Sequence, residues 1–224
     1  MSSPYVLAID PKTTGASLAW VYQDKDKTKD ALIHLNKFRA PRTDEFDPAS
    51  ASRLAAAAAK KVVETALGKG GREPDLVVMS KMIPMDLKRD PSGPRRSAIW
   101  WETVRLFDEM GVPIAEIAPM SAQSMLSTFA TAGKSGFEVT KKAVLDLYKD
   151  VPKDKDGYWY FTLALALAGA HILGWDTPMK VSYNNLKALR TIGTSLPSKI
   201  TVPRDEAEWK RLNKAVYAAQ EVAV

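Results

Sequence analysis

Asp10 closes a short apolar run, Tyr5-Val6-Leu7-Ala8-Ile9, and is followed by Pro11-Lys12-Thr13-Thr14-Gly15. A carboxylate in that place suits two kinds of chemistry. It can ligate a hard divalent cation, which needs several anionic oxygens brought together, or it can steady the turn that Pro11 to Gly15 announces. Three further acids, Asp86, Asp154 and Asp156, lie in polar stretches from which a carboxylate could join it. Asp156 also reads as a helix N-cap, since a short acidic side chain accepts hydrogen bonds from the first free N–H groups of a helix. Nucleophilic or metal chemistry on sulfur is excluded, because the chain has no Cys. His34 and His171 stand alone, without metal-ligand or Ser/Asp spacing, and read as structural or surface residues.

A second group of residues suits phosphate. Lys81 and the run Lys88-Arg89-Asp90-Pro91-Ser92-Gly93-Pro94-Arg95-Arg96 make the densest basic cluster and lead into Ile99-Trp100-Trp101. Lys88, Arg89, Arg95 and Arg96 are candidate phosphate contacts; a flexible, solvated loop is the alternative. Two adjacent Trp residues on a helix cannot share one face. One of Trp100 and Trp101 therefore belongs to the core, and the other is free for a partner or for base stacking. Gly133-Lys134-Ser135-Gly136 has phosphate-loop composition but lacks the upstream Gly and strand of a Walker loop. Lys134, Lys141 and Lys142 remain as backbone-contacting candidates. The formal charge of +6 and pI near 9.3 agree with a polyanionic partner, or with a solvated surface rich in Lys.

The elements that must position these residues follow from apolar periodicity. Residues 5 to 9, 16 to 22 and 31 to 38 read as three strands with short connections, an antiparallel meander. Helices are expected at 49 to 67, closed by Gly68, and at 97 to 110, with strands at 75 to 83 and 112 to 118. Helices near 121 to 130, 136 to 149 and 158 to 174 follow. The order βββαβαβα predicts a mixed five-stranded sheet with helices on both faces. Composition changes after Gly174, so residues 1–174 are expected to form one domain and 175–224 a C-terminal helical extension. In its last helix Trp209, Leu212, Val216 and Ala219 share a face, which either docks on its own domain or meets a partner. No apolar run is long enough to span a membrane, and the polar start is unlike a signal peptide, which points to the cytoplasm.

Leu7 to Ala19, with Asp10-Pro11 and Gly15, resembles the first hairpin of the RuvC family of Holliday junction resolvases. So do Glu73-Pro74-Asp75-Leu76-Val77-Val78 and Thr162 to His171, rich in Leu and Ala, in family order. The resemblance covers residues 4 to 174 and implies an RNase H-like, RuvC-type α/β fold. It implies a Mg²⁺-dependent nuclease with four carboxylates: on the first strand, on the fourth strand and twice on the last helix. Carried over position by position, Asp10 matches the first, while Ser80, Tyr158 and Phe161 stand where the other three belong. Asp75 lies five residues before Ser80, roughly 16 Å along a strand, too far to substitute.

The expectation is therefore a non-catalytic RuvC-like scaffold without a cofactor. It would bind DNA through Lys81, Lys88, Arg89, Arg95, Arg96, Lys134, Lys141 and Lys142, or a protein partner or its own copies through Trp100, Trp101, Trp209, Leu212 and Val216. A virion or genome-packaging accessory role in a phage is one form of this. The alternatives are an active Mg²⁺-dependent nuclease using Asp10 with Asp86, Asp154 and Asp156, and a purely structural, oligomer-forming protein.

Overall fold

The computed structural model describes residues 3–23, 32–37, 47–82, 88, 90, 92–127, 133–148, 151 and 158–222. Strand β1 (Tyr5–Lys12) and strand β2 (Gly15–Tyr22) form a tight hairpin, and β3 (Leu32–Lys37) continues the meander. β1 runs three residues past Ile9, through Asp10, Pro11 and Lys12, so the turn is only Thr13-Thr14. Proline is tolerated there because β4 (Leu76–Ser80) pairs with β1 only over Val6 to Ile9. Beyond that point β1 needs no N–H on its β4 side.

Helix α1 (Pro48–Gly70) starts on the Asp47 side chain, which accepts from the N–H groups of Ala49 and Ser50. It passes Gly68, the expected stop, and ends at Gly71 with φ 70°. Gly70 is needed for contact, since a Cβ there would lie 2.1 Å from the Tyr5 hydroxyl. Helix α2 (Gly93–Glu109) connects β4 to β5 (Ile114–Ile117), parallel to it. Helices α3 (Pro119–Ser127), α4 (Gly133–Leu147) and α5 (Tyr158–Ile172) follow. The strand order is β3-β2-β1-β4-β5, as the meander and crossovers require, with a two-residue strand β6 (Thr194–Ser195) antiparallel to β5 at the edge.

Alternation along the strands splits the core into two layers. Tyr5, Leu7, Ile9, Leu18, Trp20, Val77 and Met79 pack under α1 and α2. Val6, Ala8, Ala19, Val78 and Ala115 pack under α5. That helix is buried from Thr162 to Ala170, because the sheet covers one side and α3 and α4 the other. Gly169 lets it approach: a Cβ there would come within 2.7 Å of Val6 and Val78.

After Gly174, Trp175, Met179 and Leu189 still bury in the α5 layer, with Leu189 on helix α6 (Tyr183–Leu189). Helix α7 (Glu206–Val222) follows. Trp209 is buried, Val216 packs against the core, and Asn213 donates to Gly174 O at 2.9 Å and to Asp176 at 3.1 Å. Three members of the stripe expected to meet either a partner or its own domain, Trp209, Leu212 and Val216, lie against its own domain. Leu212 and Val216 are still partly exposed. Among the described residues no helix is long and apolar enough to cross a membrane.

Candidate functional site

One rung of the sheet collects the residues of interest. Ser17 lies opposite Asp10 in the hairpin, Ser80 follows the Ile9–Met79 pair on the other side, and Ile117 pairs with both Ser80 and Thr194. Asp10, Ser17 and Ser80 continue the alternation of Ala8, Ala19 and Val78, so all three project from the α5 face. Lys12 does too, two residues after Asp10, and its ammonium meets the Asp10 carboxylate in an ion pair. Ser17 Oγ is fully buried and makes no hydrogen bond. The Ser80 side chain is buried, and its carbonyl accepts from Trp100 Nε1 at 2.9 Å.

The start of α5 lies on the same face of the sheet as this rung. Phe161 is half-buried, edge-on to Phe137 of α4 at 5.1 Å between ring centroids. Tyr160 turns into the core. The Tyr158 side chain lies outside the described residues, as do Asp86, Arg89, Asp154, Asp156 and the side chain of Lys134.

No family model matches the sequence, and no curated protein matches it. Solved structures do. Thermus thermophilus RuvC matches at 20% identity and a TM-score of 0.50, covering 73% of this chain and 91% of that one. T. thermophilus RuvC in complex with Holliday junction substrate matches at 18% and 0.50, covering 73% and 90%. The yeast mitochondrial Holliday junction resolvase Ydc2 matches at 15% and 0.46, over 74% and 77%. The fold is that of RuvC.

A RuvC fold raises the question of a metal pair at the rung. Two hard cations require several anionic oxygens. Here the described residues supply one carboxylate, and Lys12 already neutralises it. The remaining positions offer two hydroxyls and a phenyl ring, and no group of three or more His or acidic residues that could hold a metal ion exists among the described residues. The described donor set does not fit a metal pair. The role of Lys12 is hidden in the sequence because Asp-Pro-Lys-Thr-Thr-Gly reads as a turn, which conceals the i, i+2 relation on an extended strand.

The basic candidates divide by what holds them. Lys81 Nζ donates to Ile192 O at 3.0 Å and lies 3.8 Å from the Glu116 carboxylate. Arg96 pairs with the Asp90 carboxylate, to which Ser92 Oγ also donates at 2.8 Å. The Ser92 hydroxyl and then Arg96 hold the Asp90 carboxyl below its ordinary pKa. These contacts pin the entry of α2, so Arg96 serves the loop's shape. Lys88 and Arg95 are exposed on it. Lys141 and Lys142 are on α4, on the opposite face of the sheet from α2. Trp100 is 6% exposed and Trp101 63%, the division expected of adjacent residues on one helix.

Proposed function

We propose that this chain uses the RuvC fold to bind nucleic acid without cutting it. The observation that carries the proposal is the Asp10–Lys12 ion pair, with Ser17 and Ser80 beside it. The Lys12 ammonium occupies the one carboxylate that could hold an ion able to activate water, so the rung has no means of generating a nucleophile, and attraction for phosphate falls to the exposed Lys88 and Arg95. The relative solved with a Holliday junction substrate supports DNA as the partner class, as does the net charge of +6. Lys88 and Arg95 are the proposed phosphate contacts, with Lys142 on the far side. Exposed Trp101 is a candidate for a protein contact in an assembly.

The test pairs a cleavage assay with a binding assay. Four-way junctions and linear duplexes incubated with the protein in Mg²⁺ or Mn²⁺ are expected to stay intact. Fluorescence anisotropy is expected to show binding that weakens steeply with salt. Lys88→Ser with Arg95→Ser should weaken binding to all sequences alike and flatten the log-log salt slope by about 0.9 for each phosphate no longer neutralised. Metal-dependent cutting that Asp10→Asn abolishes would overturn the proposal in favour of a nuclease drawing on Asp86, Asp154 or Asp156.

A further inference from the structure

Four large apolar side chains are exposed among the described residues: Trp101, Met120, Tyr183 and Ile192. The last three lie on α3, on α6 and on the turn into β6. Ile192 is 99% exposed, the extreme for these four, yet its turn is firmly seated. Lys81 Nζ donates to its carbonyl, Thr194 N donates to Thr191 O at 3.0 Å, and Ala118 N donates to Gly193 O at 2.7 Å. The Ser121 and Thr191 hydroxyls meet at 3.1 Å. Gly193 is pressed so closely on α3 that a Cβ would lie 2.6 Å from Ser121 Oγ. Met120, 43% exposed, adjoins this seat through Ser121, and Arg190 lies over the ring of Tyr183 at 5.5 Å, two residues before Ile192.

Single apolar residues on a surface are common. A β-branched side chain standing wholly in water on a turn anchored from both sides is a rigid prong. Its place is informative as well. Thr194 pairs with Ile117, and Ile117 with Ser80, so the turn lies on the Asp10 rung, three strand spacings or about 14 Å from Asp10. The cation beside it, Arg190, is exposed. Apolar prongs flanked by cations suit DNA in one particular way: they enter between stacked base pairs while the cations hold the backbone.

We propose that Ile192 is a wedge that enters a base step of bound duplex DNA, with Lys81 bracing the turn and Arg190 facing the phosphates. This rests on the nucleic-acid reading above. Flexible pyrimidine–purine steps should be the preferred entry points, since they unstack at least cost.

The test uses the full chain and a duplex carrying 2-aminopurine at a TA step. Wild-type protein is expected to raise the 2-aminopurine fluorescence severalfold. Ile192→Ser should abolish that rise and weaken binding roughly tenfold, as removing one buried aliphatic side chain from an interface does. Ile192→Phe should keep both. Because the side chain touches little, the melting temperature of both variants should equal the wild type's, which excludes misfolding as the cause. If Ile192→Ser binds and unstacks like wild type, the wedge is wrong while DNA binding stands. If wild type binds no duplex even at low salt, the nucleic-acid reading fails and the wedge with it.

Discussion

The two ends of α5 invert each other. At its N-terminal end, on the same face of the sheet as Asp10, the positions of greatest chemical promise hold aromatic and small residues, and the one acid described there, Asp10, is neutralised by Lys12 two residues away. At its C-terminal end, polar groups are buried and held in place. His171 is fully buried, with Nε2 2.7 Å from Thr177 Oγ1, and its ring faces Trp209 of α7 at 6.2 Å. Both His171 Nδ1 and Trp209 Nε1 are buried without a hydrogen-bond partner. The polar demand of this helix thus falls where the C-terminal segment docks. The C-terminal end of α5 is where α7 is held.

Breaking the C-terminal end should therefore have the largest effect. Gly174 has φ 76°, and a Cβ there would lie 2.8 Å from Leu212 Cβ on α7. Gly174→Val combines left-handed strain with a clash and should cost about 3–4 kcal/mol. Urea unfolding would measure the loss. Released Trp209 should shift tryptophan emission to the red; unchanged emission and stability would refute the docking role.

The next effect is a pH dependence from the same end. Burial lowers the His171 pKa from 6.5 to about 4, against a weaker raising effect of Asp176. The native state therefore resists a proton that the unfolded chain accepts. Stability is fully present above the unfolded pKa and falls as pH drops from about 6.5 toward 4, where the unfolded chain binds more protons. The loss should be on the order of 2–3 kcal/mol. Carboxylates titrate over the same range, so the measurement is the difference between wild type and His171→Gln in urea unfolding at pH 7 and 4.5. Equal slopes in the two proteins would refute it.

The two ends also differ in how far the sequence exposes them. The strands and most helices are visible as apolar runs, because a mixed sheet covered on both faces demands continuous apolar stretches such as Leu76 to Met79. Trp100 and Trp101 divide as helical geometry requires. The stripe of α7 is visible as well, but its target is not: Gly174 and Asn213 meet only in the folded chain. Strand β6 carries no pattern, being two residues that owe their pairing to the turn at Gly193. At Asp10 the acid is plain and its partner is hidden. Proline and two threonines signal a turn at once, and only the end of β4 at Ser80 explains why the strand continues to Lys12.

The smallest effect sharpens the other side of the comparison. If Asp10 is bound to Lys12 and to no metal, Asp10→Asn removes one partly exposed ion pair, worth about 1 kcal/mol or less. For a chain of this length that is a melting shift of about 2–4 °C or less. Lys12→Met should give a similar shift, because either change deletes the same ion pair, and the double variant should lose no more than about the larger single loss. Millimolar Mg²⁺ should leave the wild-type melting temperature in place, since an ion raises it only by binding the native state. In Lys12→Met the carboxylate stands alone, and one carboxylate with two hydroxyls is too poor a donor set to hold the ion, so Mg²⁺ should remain without effect there. Differential scanning fluorimetry of the four proteins with and without Mg²⁺ decides between the two outcomes. A Mg²⁺-dependent rise that Asp10→Asn removes would place a cation at this rung, and the contrast between the two ends of α5 would collapse.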